Sequence, residues 1–450
     1  MGKAIDNLLN IKIVKTFKNI WSIEDLRTRI LITLLFVTLY RFGSYVVIPG
    51  IDTEALQGLR NQTEGGLMSL LDMFSGGAFS KASIFGLGIM PYISASIVMQ
   101  LLGLAVPYFQ KMQREGESGR RKMNQYTRYL TVAILLFQGP LYLLNLKSTT
   151  GGQALSSRLD WGWFLVIGGI ILAAGSMFIL WLGERITDRG IGNGVSIIIM
   201  IGIIARFPEA VIQEYTSRFG GQGGLIVFLL EIVLFLAVIM AAILLVQGVR
   251  RVPVNYAKKI AGARQIGGAR QYIPLKPYAA NVMPIIFAQA IMFVPITCVQ
   301  FAAGAEMGPV VRALTDNTSF LYNLIFAILI ILFTYLYTAI TINPVQMAED
   351  MKRNNGFIPG VKPGKDTADY IDNIMSKITF PGSLFLALIA ILPAFADLFG
   401  VQREFAAFFG GTSLLILVGV VLDTLMQIES HLMMRHYDGL LDTGRVRGEH

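Results

Sequence analysis

The chain has 450 residues, 54% of them hydrophobic and only 15% charged, with a mean hydropathy of +0.58. Ordinary soluble domains carry roughly 25% charged residues, so this composition excludes a fold surrounded by water on all sides. The net charge of +9 says little until the positive residues are located, and the lone cysteine, Cys298, excludes an internal disulfide and leaves the redox compartment undecided.

In chain order, residues 11–21 are Lys-punctuated and amphipathic, which predicts a surface helix and not the apolar core of a cleavable signal. Asp6 stands where N-myristoylation requires Ser or Thr, so anchoring falls to the spans themselves. A helix needs about 20 mostly apolar residues to cross roughly 30 Å of hydrocarbon. Ten stretches meet that requirement, near 28–48, 83–106, 124–145, 161–182, 191–207, 224–248, 282–303, 321–342, 379–398 and 410–430. Ahead of the second, residues 67–83 hold an apolar cluster (Leu67, Met68, Leu70, Leu71, Met73, Phe74) followed by Ser75-Gly76-Gly77. This segment is too short to cross. Irregular backbone at membrane depth survives only when buried in protein or lining a cavity, so it is expected to fold back into the molecule.

With a cytoplasmic N-terminus, 29 of the 38 Lys and Arg residues fall on the cytoplasmic side, concentrated in 111–128, 250–276 and 352–377. That is the positive-inside asymmetry, and an even number of spans returns the C-terminus to the same side. Five spans on either side of 208–224 make the second half run opposite to the first, the arithmetic of an inverted repeat.

The spans offer little chemistry. His431, His436 and His450 lie at or beyond the last span, so no histidine can serve a zinc or Ser-His centre at membrane depth. Gly364-Lys365-Asp366 lacks both the upstream glycine and the Ser/Thr of a phosphate-binding loop. Arg41, Glu231, Asp397 and Asp423 fall towards span ends, where interfacial snorkelling accounts for them. Ser94, Ser96, Gln100, Gln138, Ser176, Ser196, Gln289 and Thr297 remain inside and read as interhelical glue. The scarcity of ionisable groups near the midplane weighs against the alternative reading, an inverted-repeat secondary transporter for a small solute.

Several strings resemble the bacterial SecY family, the central subunit of the protein-conducting translocon. They are Met73-Phe74-Ser75-Gly76-Gly77-Ala78 running into Gly88-Ile89-Met90-Pro91-Tyr92-Ile93-Ser94-Ala95-Ser96; Arg120-Arg121-Lys122 before Gln125-Tyr126-Thr127-Arg128-Tyr129; Trp181-Leu182-Gly183-Glu184 before Gly190-Ile191-Gly192-Asn193-Gly194; Arg250-Arg251-Val252-Pro253-Val254-Asn255-Tyr256-Ala257-Lys258; residues 357–364 with Thr367-Ala368-Asp369-Tyr370-Ile371; and Gly410-Gly411-Thr412-Ser413-Leu414-Leu415-Ile416. They cover most of the chain in family order.

The resemblance implies an all-α polytopic fold of ten transmembrane helices in two inverted five-helix halves around a central hourglass pore with a plug. Its parts would be a cytoplasmic segment 1–27; a half 28–215 with the plug at about 67–80; a half 216–432 with cytoplasmic loops at about 249–281 and 343–378; and a tail 433–450. The implied pore ring is Ile89, Ile93, Val195, Ile199, Ile286 and Ile416, and spacing agrees, since residues four apart share a helix face. An apolar ring excludes ions by dewetting without selecting any one peptide sequence. The family usually has isoleucine where Val195 stands. The implied plug is Leu67, Leu70, Met73 and Phe74. The implied lateral gate between spans two and three and spans seven and eight has Ser94, Gln100, Gln289 and Phe293. Partner-binding positions are Arg250, Arg251, Lys258, Lys259, Arg264, Lys352, Arg353, Lys362 and Lys365, with Lys362 replacing the family's frequent arginine and its planar donor fork. Implied partners are SecE-like and SecG-like small subunits, the SecA motor, the ribosome, signal sequences, nascent polypeptides and membrane lipid. No cofactor and no catalysis are implied, and the setting is the bacterial cytoplasmic membrane.

Overall fold

The computed structural model describes residues 21, 23–52, 56, 72–150, 155, 160–220, 224–256, 259–261, 264–266, 270–276, 283–289, 291–292 and 319–443. Its helices are α1 (Glu24–Gly43), α2 (Met90–Ala105), α3 (Pro107–Arg114), α4 (Glu117–Thr149), α5 (Trp161–Arg189), α6 (Gly194–Phe219), α7 (Gly224–Gln247), α8 (Phe320–Thr341), α9 (Pro344–Arg353), α10 (Lys365–Leu398), α11 (Arg403–Ala406) and α12 (Gly411–Thr443). Among the described residues five strands accompany them: β1 (Arg250–Tyr256), β2 (Lys259–Ala261), β3 (Arg264–Ile266), β4 (Arg270–Leu275) and β5 (Gly356–Phe357).

Among the described residues seven helices are long and apolar enough to cross a membrane, and α2 with α3 supplies an eighth if the bent pair is one span. The 100° bend between them has a local cause. Pro107 pushes the residue before it out of the helical region, and Val106 is extended at φ −108°, ψ 121°. Helix α1 occupies the first expected span although it carries Glu24, Asp25, Arg27, Arg29 and Arg41, and residues 283–289 and 291–292 are helical within the seventh. The chain is therefore a multi-pass membrane protein. Helix α7 shows how the bilayer acts as solvent: its apolar window is only 11% buried in protein, with Ile226, Leu230, Val233 and Leu244 projecting outward.

Two spans differ from expectation in extent. The second begins at Met90, because 84–89 is a run of turns and Pro91 sits in the first helical turn, where its missing N–H costs nothing. The fifth does not stop at a loop near Pro208; α6 continues to Phe219 with Pro208 inside it.

The chain divides into two compact units, one built from Met1–Pro208 with Val420–His450 and the other from Glu209–Gly419. In the first, α1 packs on α5, and α4 on both α2 and α5. The α4–α5 crossing is close because glycines face it: a Cβ on Gly139 would lie 3.1 Å from the Gly169 Cα. Ile48, Phe79, Ala82, Tyr142, Leu143, Leu146, Phe164 and Leu172 form a buried cluster that holds the turn-rich segment after residue 72 inside the unit.

In the second unit, the two basic segments expected as separate cytoplasmic loops form one small folded body. Strand β1 pairs antiparallel with β4, Val252 opposite Ile273 and Val254 opposite Gln271, and with β5, Asn255 opposite Phe357. Val252, Val254 and Leu275 meet Met351, Ile358, Ile371 and Met375 in a common core. Asn343 caps α9 by accepting from the Val345 and Gln346 amides at 3.2 Å. This sheet is an addition to the expected all-α architecture. The alternation Val252-Pro253-Val254 was its signal, but β5 pairs with it from about a hundred residues away.

Candidate functional site

Two elements that carry expected site residues of the first unit, α6 and the turn before α2, approach one stretch of backbone at 73–76. Ile89 precedes α2, and its carbonyl accepts from the Ile93 amide at 3.1 Å, so the two side chains stand one turn apart on one face. Ile89 is buried and Ile93 half-buried. On α6, Val195 is half-buried and Ile199 buried. Met73 and Phe74, in a short helical turn at 72–74, are both buried. Leu67 and Leu70, the other expected plug residues, lie outside the described residues.

Two glycines set the approach of this backbone to α6 and to the turn before α2. A Cβ on Gly202, three residues after Ile199, would lie 2.9 Å from the Phe74 carbonyl oxygen, 3.3 Å from the Gly76 amide and 3.4 Å from the Met73 carbonyl oxygen. A Cβ on Gly88, beside Ile89, would lie 3.5 Å from the Ser75 Cα. The backbone at 73–76 therefore rests on α6 one turn past Ile199 and against the residue that introduces Ile89. Gly76 and Gly77 have φ of +66° and +84°, the left-handed region that lets the chain reverse here.

Because this backbone is irregular and buried, its polar groups must find partners in protein. Tyr40 Oη donates to the Ser75 carbonyl at 3.1 Å, Arg41 to the Gly76 carbonyl at 3.0 Å, and Tyr142 Oη to the Phe79 carbonyl at 2.7 Å. Asp72 accepts from the Ser80 amide at 2.7 Å and forms an ion pair with Arg206 of α6. Arg41 is thus a backbone anchor and not a snorkelling residue.

Charge inside the second unit also corrects the sequence reading. Glu231 does not snorkel: it is buried and pairs with Arg218 at 2.5 Å, while Arg218 also holds Glu214 at 2.7 Å and donates to the Gly400 carbonyl at 2.9 Å. Glu214 in turn accepts from the Gln402 amide at 2.7 Å. Asp397 fits an interfacial role better, since its partner Arg403, 3.7 Å away, is largely exposed. The Asp72–Arg206 pair escaped the sequence reading because the two residues are 134 apart with nothing local to join them, and the Glu214–Arg218 pair because 208–224 was expected to be a loop and is instead the end of α6.

Of the expected gate residues, Ser94 and Gln100 are half-buried on α2, with Gln100 donating to Ser96 at 3.3 Å. Gln289 is buried, and its side-chain oxygen lacks a partner among the described residues. Phe293 lies outside them. Ile286 is half-buried and Ile416 buried. Among the expected partner-binding residues, Arg250, Arg251, Lys352, Arg353, Lys362 and Lys365 are exposed on and around the sheet body. Lys259 and Arg264 lie on β2 and β3, and Lys258 is outside the described residues.

The family model described as SecY matches residues 83–425. A curated protein translocase subunit SecY from Streptomyces scabiei is 42% identical over 443 residues, covering 94% of this chain and 99% of the relative. Its counterpart from Thermus thermophilus is 40% identical over 444 residues, covering 97% and 99%. A solved structure described as a protein-conducting channel superposes with a TM-score of 0.60 over 90% of this chain and 92% of its own, at 17% identity, a likeness of fold. With the apolar spans, the buried hairpin and the family strings in order along one chain, these matches leave one assignment: the chain belongs to the SecY family of protein translocase channel subunits.

Proposed function

We propose that this chain is the channel that passes unfolded secretory polypeptides across the bacterial cytoplasmic membrane and releases transmembrane segments sideways into it. Both termini face the cytoplasm, and the chain does no chemistry of its own; a motor ATPase or the ribosome supplies the energy. Ile89, Ile93, Val195, Ile199, Ile286 and Ile416 act as the aliphatic seal, the segment containing Met73 and Phe74 as the plug, and Ser94, Gln100, Gln289 and Phe293 as the lateral gate. The domain division follows: 1–27 cytoplasmic, halves 28–215 and 216–432, tail 433–450. The observation that carries this reading is the seating of backbone 73–76 against Gly202, about one turn past Ile199, and against Gly88, next to Ile89. Aliphatic side chains repel water and ions yet yield around any peptide, as a non-selective conduit requires.

The test exploits the single native thiol. With Cys298→Ser and Ile416→Cys, crosslinking is followed to cysteines placed along a stalled secretory precursor. Crosslinks confined to precursor residues within the membrane are expected. Labelling by a lipid-soluble thiol reagent with no precursor adduct would place Ile416 against the bilayer and end the ring assignment.

The exposed basic residues of the sheet body are proposed to dock the motor and ribosomal RNA, alongside SecE-like and SecG-like subunits in the membrane. Lys365 opens α10, where a cation opposes the helix dipole, so helix stability does not explain it. Phosphate contacts release counterions, giving affinity a steep salt dependence. Arg250→Gln with Arg251→Gln should weaken ribosome binding and flatten the slope of log affinity against log salt by about 1.5. An unchanged slope would remove these two residues from the docking surface.

A further inference from the structure

Helix α6 presents Val195, Ile199, Gly202 and Arg206 at successive intervals of four, three and four residues. That spacing lays all four along one helix stripe, with Arg206 about 10 Å beyond Ile199 at 1.5 Å per residue. The stripe carries, in order, two proposed seal residues, the glycine on which backbone 73–76 rests, and the cation that meets Asp72. We infer that the Asp72–Arg206 ion pair is a latch that holds the plug segment in its seat, making both residues positioning residues for channel closure. The inference rests on the plug reading above.

Neither charge is explained by local structure. The Ser80 amide, which Asp72 accepts, would be satisfied equally by an asparagine side chain. Arg206 follows Ile203, Ile204 and Ala205 in a span, where a guanidinium is costly, and the Asp72 carboxylate meets it there. The Asp72 side chain has no exposure and that of Arg206 only 16%. A pair of well-packed apolar residues would hold such a seat at least as firmly. What charges add is dependence on water. In the dry, seated state the attraction is strong; once the segment lifts and water enters, both ions hydrate and the attraction falls by the ratio of dielectric constants. An apolar contact would instead oppose opening through its whole course. The pair thus favours closure sharply at short range and imposes little drag afterwards, while the hydroxyl and guanidinium bonds from Tyr40 and Arg41 to the backbone keep the turn itself in shape.

The test uses the full chain with its small subunits, reconstituted in vesicles loaded with a small anionic dye. Asp72→Asn and Arg206→Gln should each raise dye leakage by about tenfold or more, since stranding one member of a buried pair shifts a two-state equilibrium by at least that factor. The swap Asp72→Arg with Arg206→Asp should restore part of the seal, because the ion pair re-forms while the Ser80 amide loses its acceptor. Hydrogen exchange should quicken at the Gly77, Phe79 and Ser80 amides in the single variants, with the thermal midpoint nearly unchanged, a split that a merely structural pair would not give. If Arg206→Gln does not accumulate, Arg206→Lys carries the test, with a smaller rise in leakage expected. Single variants as tight as the parent would overturn the latch. In that case deletion of residues 72–77 discriminates: leakage from the deletion leaves the plug reading standing without the latch, and a tight deletion removes both.

Discussion

Arg218→Met should cost the second unit about 3–5 kcal/mol, the usual penalty for stranding a buried charge. The guanidinium stands between two carboxylates that have almost no exposure, Glu214 and Glu231. It also donates to the Gly400 carbonyl, and Glu214 accepts from the Gln402 amide, so the cluster ties α6, α7 and the turn before α11 together. Methionine fills similar volume, which isolates the electrostatic loss. Two carboxylates then face each other in an apolar setting, and the repulsion adds to the desolvation of each. The thermal midpoint of the detergent-solubilised chain is the measurement, with Arg403→Met as comparison. Arg403 pairs with Asp397 at 3.7 Å but is 60% exposed, so its loss should stay within about 1 kcal/mol. Adding Glu214→Gln and Glu231→Gln to Arg218→Met should recover much of the stability. Equal midpoints for Arg218→Met and Arg403→Met would show that water already screens the cluster.

How far the sequence exposed this architecture depends on the range of the interactions. The spans were legible because hydropathy is local: the sixth, expected at 224–248, is Gly224–Gln247, and the eighth, expected at 321–342, is Phe320–Thr341. Ends governed by local breakers shifted more, as where Pro91 delays α2, or where Pro208 is absorbed into α6 because a helix in a membrane protein can have its freed carbonyl satisfied by neighbours. The buried return of the chain after residue 72 was legible from its shortness and its glycines. Its attachments were not, since Tyr40, Arg41, Tyr142 and Arg206 come from three different helices. Nor was the sheet body: Val252 and Val254 alternate as a strand should, but a run of seven residues among arginines carries no sign of partners at 270–275 and 356–357. The seal positions came from family strings and not from physics, because a pair of isoleucines four apart on a span looks the same in a pore as in a core.

Gly202→Val separates those two meanings of a buried apolar contact, and it should open the channel. The new Cβ would stand 2.9 Å from the Phe74 carbonyl oxygen and close to the Met73 carbonyl and the Gly76 amide, all backbone atoms that cannot swing aside. The γ-methyl groups enlarge the clash. Overpacking of this kind costs about 1–3 kcal/mol when the neighbour is fixed. A plug that can leave its seat relieves the strain by leaving, so dye leakage should rise by about tenfold or more while the thermal midpoint barely moves. Gly175→Ala supplies the opposite case. Its Cβ would lie 2.0 Å from the Ile84 carbonyl oxygen, in a part of the segment bound into the fold through the Ile84 amide and the Val46 carbonyl. That strain has no exit, and the variant should lose stability without gaining leakage. If Gly202→Val behaves as Gly175→Ala does, residues 73–76 are fixed core, and the plug must lie in the stretch before Asp72.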